Sequence, residues 1–424
     1  VAINAAIAAQ AVENVTIARL SDQARITTGD LTITALDDSF IMGLAGAFAG
    51  SDGAVSVGAS GVVNFAKRQV YAGIGPAERD AALGGTADEV RITARTLTIR
   101  ATNDAITVAT AVAGSRVSGK PVDDSPVPPA DETNDEDTII PAWLFADDET
   151  DALTAQSNVD PSNGKGDKQN QTGWSFAGAA TVNLMLQNQT VTEIATNARI
   201  NLSGALGMTA TNTSYGIAGA GAVSVGLGST QKNNALAGAF AVTVDERDVL
   251  TLVRGADISA LSATLRADDD SVVVGVAVGG AGSSNGKVTV AGSVAVNVLT
   301  GETRTDVSNA TLSTTNDLAL HATDESVTVG VGGAVSINMT QGEGAGVGIG
   351  IAVNVVDRGA STRVWGATLL DARHLTVGAL SSAQIYGFGI SAGAGKTAPE
   401  IAAHDQDDHH PRRRPRARAG SLYR

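Results

Sequence analysis

Residues 291–336, AGSVAVNVLTGETRTDVSNATLSTTNDLALHATDESVTVGVGGAVS, decide the fold class. In SVAVNV, DLALHA and VTVGVGGAVS, apolar or small residues recur at every second position, and the links between these runs are rich in Asn, Asp, Ser, Thr and Gly. A period of two puts alternate side chains on opposite faces of a strand, and the link residues favour tight turns. Nothing here keeps a helical period over a comparable length, so the stretch is predicted to be short β-strands joined by turns.

The same grammar recurs along the chain. An Ala, then polar turn residues, then a small and a β-branched or aromatic residue occur at Ala35 (ALDDSFI), Ala101 (ATNDAIT), Ala210 (ATNTSYG), Ala267 (ADDDSVV), Ala322 (ATDESVT) and Ala379 (ALSSAQI). The last four stand 57, 55 and 57 residues apart. A second marker, an alternating strand ending in Asn, precedes the first in each unit: Asn64 in GVVNF, Asn183 in AGAATVNL, Asn297 in SVAVNV and Asn354 in GIAVNV. Thr243 takes that place in AGAFAVTV, and the first copy, before Ala24, is degenerate.

A fixed period of this length signals stacked architecture, because one thin unit cannot bury its apolar face alone. Stacked units would pair strand on strand at about 4.8 Å. The expected fold is all-β, a parallel β-solenoid (right-handed β-helix) of about six repeats near 57 residues. A coil of roughly 20 residues would put two or three coils in each repeat. On that count the asparagines are turn or buried-amide positions without direct contact, and the repeated alanines are stacking positions.

Composition agrees. Gly is 49 of 424 residues and aromatics are 3%, which leaves few large side chains for a thick globular core. Cysteine is absent, which excludes disulfides, thiolate metal sites and thiol catalysis, and fits passage through an oxidising compartment. No run reaches the 18 or so apolar residues of a membrane-spanning helix. Net charge is −15, and the body of the chain has no basic patch for nucleic acid. The first residues lack Met and a charged-then-apolar leader, so a signal peptide is expected upstream, within a larger parent protein.

Two segments break the pattern and divide the chain into solenoid repeats 1–115, an insertion 116–172, further repeats 173–395 and a tail 396–424. The insertion holds thirteen Asp and Glu against four Lys and Arg, with several prolines, and is expected to be a largely disordered surface loop. The tail clusters Arg412, Arg413, Arg414, Arg416 and Arg418. It reads as a disordered basic segment or as the product of a truncated or frame-shifted reading frame.

The signature AGSVAVNV, then DLxLxAxDxS and VxVGVGGAVS, resembles the repeats of leukotoxin-like filamentous adhesins of Gram-negative bacteria, similar in architecture to filamentous haemagglutinins. The resemblance spans residues 1–395 and implies secretion, display at the outer membrane and cell surface, and a β-solenoid stalk. It carries over no catalytic residue. The function expected is a stalk segment of a surface adhesin that attaches to host cells, matrix or other bacteria, and not an enzyme. The alternative is a secreted β-helix enzyme acting on acidic polysaccharide, which would need converging charged side chains and aromatic platforms.

Candidate chemistry is sparse. The acidic turns that carry Asp268, Asp269, Asp270, Asp324 and Glu325 should share one edge of the solenoid, and clustered carboxylates there are weak Ca²⁺ candidates. A solvated acidic edge is the ordinary reading, because no calcium-roll or EF-hand pattern is complete. His321 and His374 lie in strands of separate repeats, while His404, His409 and His410 fall in the tail. No catalytic residue or resident cofactor is expected.

Overall fold

The computed structural model describes residues 1–21, 23–52, 54–75, 89–118, 172–228, 232–340, 344–366, 368–395 and 400–404. The described chain is all-β, with parallel sheets and a solenoid-like path. Three sheets are visited in turn, and on each visit the new strand pairs with the strand from the previous one.

The long-strand sheet contains Ala2–Leu20, Val55–Ile74, Thr172–Ile194, Lys232–Arg254, Val288–Ser308, Ala345–Trp365 and Glu400–His404. A second sheet collects short strands, among them Ala205–Asn212, Ser262–Asp269, Asp317–Asp324 and His374–Ser381. The third is the glycine-rich sheet: Phe40–Ser51, Ile106–Ser118, Tyr215–Leu227, Val272–Ser283, Val327–Asn338 and Gln384–Ala394.

Side-chain size shapes the cross-section. Where the glycine-rich sheet faces the first half of the long strands, the buried cluster is nearly all alanine, from Ala109 and Ala111 to Ala291 and Ala334. Small side chains on both inner faces draw the two sheets together into a thin slab. Where the second half of the long strands faces the short-strand sheet, Ile74, Leu97, Ile99, Met208, Leu265 and Leu320 fill a wider core. Strands such as Val272–Ser283 and Asp317–Asp324 alternate buried with more exposed positions, as their period-two sequence requires.

One sequence repeat makes one circuit of the three sheets. Ala210 pairs directly with Ala267, Ala267 with Ala322 and Ala322 with Ala379. The expectation of two or three coils per repeat is therefore corrected. It assumed strands of a few residues, whereas the long strands run to 23 residues. Low-bulk alternation lets them stay extended against a close neighbour.

The long insertion enters at a corner, while a bulge near Gln187 shifts the register of Thr172–Ile194 against both neighbours. Ile106–Ser118 pairs with Tyr215–Leu227, and Thr172–Ile194 with Lys232–Arg254. Arg116 to Ser118 and Thr172 thus belong to strands; the rest of the acidic insertion, 119–171, lies outside the described residues. Glu400–His404 pairs with Gly348–Ala352, so the ladder continues past residue 395, where alternation in the sequence stops. The arginine cluster of the tail lies outside the described residues.

Candidate functional site

The repeated asparagines point into the thin slab. Asn64 Nδ2 donates to the Val108 carbonyl at 2.7 Å, Asn183 to Ile217 at 2.6 Å, Asn297 to Val329 at 2.8 Å and Asn354 to Tyr386 at 2.9 Å. Each amide therefore ties the long-strand sheet to the glycine-rich sheet opposite. Along the axis the amides also meet: Asn64 Nδ2 lies 3.0 Å from Asn183 Oδ1, and Asn297 Nδ2 lies 2.9 Å from Asn354 Oδ1. This corrects the expectation that these side chains stand too far apart to touch. Thr243 interrupts the ladder between Asn183 and Asn297. Gln10 supplies the missing first copy, donating to the Met42 carbonyl at 2.9 Å.

Glycine opposite makes the room. A Cβ at Gly43, Gly275 or Gly330 would sit 2.6–2.7 Å from the Oδ1 of Asn64, Asn297 or Asn354. Burying an amide is tolerable only when it is hydrogen-bonded, so glycine and asparagine form a matched pair across the slab.

The polar turn that marks each repeat is the corner between the short-strand and glycine-rich sheets. Asp37 Oδ1 accepts from Ser39 N at 2.9 Å, an Asx turn, and Asp324 Oδ1 accepts from Ser326 N at 3.3 Å. The first residue of the turn points inward in five of the six: Asp37, Asn103, Asn212, Asp269 and Asp324 are all at most 3% exposed, while Ser381 in the last is exposed. Asn103 Nδ2 donates to Asn212 Oδ1 at 2.8 Å, and Asn212 Nδ2 to Asp269 Oδ1 at 2.6 Å.

Three arginines of the long strands meet this corner from inside. Arg68 Nε donates to Ser39 Oγ and its Nη2 to Thr107 Oγ1, both at 2.9 Å, with Asp37 3.9 Å from Nε. Arg247 pairs with Asp245, lies 3.8 Å from Asp269, and donates to Ser214 Oγ at 2.7 Å. Arg358 pairs with Asp269 and lies 3.5 Å from Asp324. Burial pulls the Arg247 guanidinium down to about 10, while the facing Asp269 holds it up. Burial lowers Arg68 as well, against the pull of Asp37.

The Ca²⁺ candidates divide accordingly. Asp269 and Asp324 are buried and face guanidinium groups, which corrects the reading of these turns as one solvated acidic edge. Asp270 and Glu325 point to solvent, and Asp268 is partly buried beside Arg266. Alternation along the turn separates neighbours that look clustered in the sequence. Among the described residues no group of three or more His, Asp or Glu side chains is arranged to hold a metal ion. His374 Nδ1 lies 3.0 Å from Asp317 Oδ1 on the exposed surface, and the His321 carbonyl accepts from Thr305.

The arginines were not picked out by sequence reasoning, although a signal exists. Arg68, Arg247 and Arg358 each stand four residues after the marker position, at Asn64, Thr243 and Asn354. In the circuits between, Asn188 and Gly301 face them. Guanidinium groups one strand spacing apart would repel and crowd, so arginine alternates with a neutral or small residue.

A second polar cluster lies at the outer corner of the long strands. Tyr71 Oη donates to Glu193 Oε2 at 2.5 Å, and Arg254 lies 3.7 Å from Glu193. Burial first, then the Glu193 charge, raises the Tyr71 hydroxyl above its ordinary value. Nearby, Arg254, Arg304, Asp306, Arg363 and Trp365 line a groove of about 530 Å³.

The fold and its interior define a parallel, solenoid-like all-β protein whose repeated polar residues bond from circuit to circuit. Comparison with family models, with curated proteins and with solved structures gives no match.

Proposed function

We propose that this chain is a structural stalk segment of a large secreted cell-surface adhesin, a right-handed β-solenoid of about six repeats near 57 residues. One observation carries the reading. The Asn, Asp and Arg side chains that recur at the marked repeat positions turn inward, where they hold one circuit to the next. A scaffold needs that arrangement; a catalytic centre needs such groups gathered once, at a surface. Attachment to host cells, matrix or other bacteria would come from inserted segments such as 116–172 and from avidity along the fibre. The test is retention of the purified chain on cells or matrix-coated surfaces. Binding that falls when 119–171 is replaced by a short linker supports the reading.

The groove lined by Arg304, Asp306, Arg363 and Trp365 favours a second reading, an enzyme on acidic polysaccharide, since guanidinium groups and an indole suit uronate rings. Depolymerisation of pectin, alginate or hyaluronan that is lost in Asp306→Asn would replace the stalk assignment with this one.

A further inference from the structure

The outward face of the glycine-rich sheet is apolar almost throughout, with Thr110, Arg116, Ser118, Gln384 and the hydroxyls of Tyr215 and Tyr386 as its polar groups. Phe48 is 63% exposed, Val112 54%, Val223 53% and Ile390 60%, far more apolar surface than an isolated face needs. Its side chains are also ordered. One row along the axis reads Gly46, Val112, Gly221, Val278, Gly333, Ile390. The adjacent row reads Phe48, Gly114, Val223, Gly280, Val335, Ala392. Large and small residues alternate along each row, and the rows are out of phase.

The chain's own packing does not require most of these glycines. A Cβ at Gly221 would meet nothing within 4 Å, and one at Gly46, Gly280 or Gly333 would make only ordinary contacts at 3.7–4.0 Å. Gly114 differs, because the Phe48 ring lies over it. None of them has a positive φ. Glycine weakens a strand interior, so glycines repeated where neither backbone nor neighbour demands them point to a body that approaches from outside.

We propose that this body is a second copy of the chain, docked face to face about a two-fold axis that runs parallel to the solenoid between the two rows. That rotation sets each residue of one row opposite its neighbour in the other: Gly221 meets the partner's Val223, and Val278 meets the partner's Gly280. In these two rows every large side chain then enters a gap, and the two solenoids run in the same direction. A face of six strands at about 4.8 Å, each about a dozen residues long at about 3.3 Å, covers roughly 1,100 Å². A standard interface needs about 800 Å² from each partner. A face nearly free of charge suits its own copy better than a charged partner.

Sedimentation velocity over a concentration series tests the proposal. The parent chain is expected to form dimers or larger species, and Gly221→Val/Gly280→Val, which fills the gaps, is expected to weaken association at least about 100-fold. Circular dichroism and melting should be preserved in that variant, since a Cβ at Gly221 meets open space and one at Gly280 makes only ordinary contacts. Val223→Ser, which removes a knob, should weaken association as well. Because the chain has no cysteine, Val223→Cys can be treated with a short bis-maleimide. Cross-linked dimer is expected there and not at the control Thr264→Cys on the short-strand sheet. A parent chain that stays monomeric at all concentrations, association unchanged in the folded variants, or equal cross-linking at both sites would overturn the proposal. So would a monomer that partitions into phosphatidylcholine vesicles, because lipid would then be the occupant.

Discussion

At the residue scale, the Gly–Asn pair across the slab predicts that the glycine tolerates no added methyl. Gly330→Ala would place a Cβ 2.7 Å from Asn354 Oδ1 and push the amide off the Tyr386 carbonyl. We expect a loss of about 1–3 kcal/mol in chemical denaturation, the scale of a buried polar group losing its partner. Gly221→Ala, in the same sheet but facing out, should leave stability unchanged or slightly raised. Equal losses at both positions would show that glycine acts here only through backbone freedom. Arg358 offers a larger effect, because Asp269 and Asp324 sit one strand apart and share its charge. Arg358→Met leaves those carboxylates without that counter-charge, at a cost of about 3–5 kcal/mol.

Tyr71 gives a pH dependence with a definite sign. Its hydroxyl is raised above the ordinary value of 10 by burial and by Glu193, so above pH 10 the folded state keeps a proton that the unfolded state releases. The contribution of this group is therefore complete below pH 10 and declines as pH rises beyond it. Tyr71→Phe should flatten the fall in melting temperature between pH 9 and pH 11 relative to the parent chain. An identical fall in both would assign the alkaline loss to other groups.

At the element scale, the corner turn shows what the sequence could and could not disclose. The Ala and Asp markers were legible because a turn between two period-two strands requires Asx chemistry at a fixed place, and stacking repeats it. Which acidic residue faces inward was less plain, since Asp268, Asp269 and Asp270 are alike in one dimension and differ only once the strand's alternation is carried through the turn. The long strands misled for the opposite reason. With Ala and Gly on the inner face, runs such as AGSVAVNV belong to a strand that continues for 21 residues, Val288–Ser308, and the chain passes through Gly301, at φ +122°, without leaving the ladder. Contrasting substitutions check the corner: Asp269→Ala should destabilise strongly, and Asp270→Ala hardly at all. Since guanidinium groups supply the inner counter-charge, adding Ca²⁺ or a chelator is expected to leave the β signal and melting temperature unchanged. A rise in melting temperature with Ca²⁺ would restore the acidic turns as a metal site.

At the scale of the whole molecule, the period was readable from the chain and its geometric meaning was not. A repeat near 57 residues is compatible with several short coils or with one large circuit, and only the pairing of Asn297 with Asn354 and of Ala267 with Ala322 separates these. The placement of the insertion follows from the same geometry. Ser118 and Thr172 both lie in strands held by neighbours, so replacing 119–171 with a short linker should preserve the circular dichroism spectrum and the melting temperature.

The most direct test of one circuit per repeat is a distance along the axis. Thr32 and Thr376 are exposed and belong to one row of the short-strand sheet, through Thr98, Gly207, Thr264 and Ala319. Nitroxide labels on Thr32→Cys/Thr376→Cys in this cysteine-free chain can be measured by pulsed dipolar spectroscopy. The five strand steps between them place the labelled sites about 24 Å apart. Two or three coils per repeat would place them roughly 48–72 Å apart, and a distance in that range would contradict the fold described here.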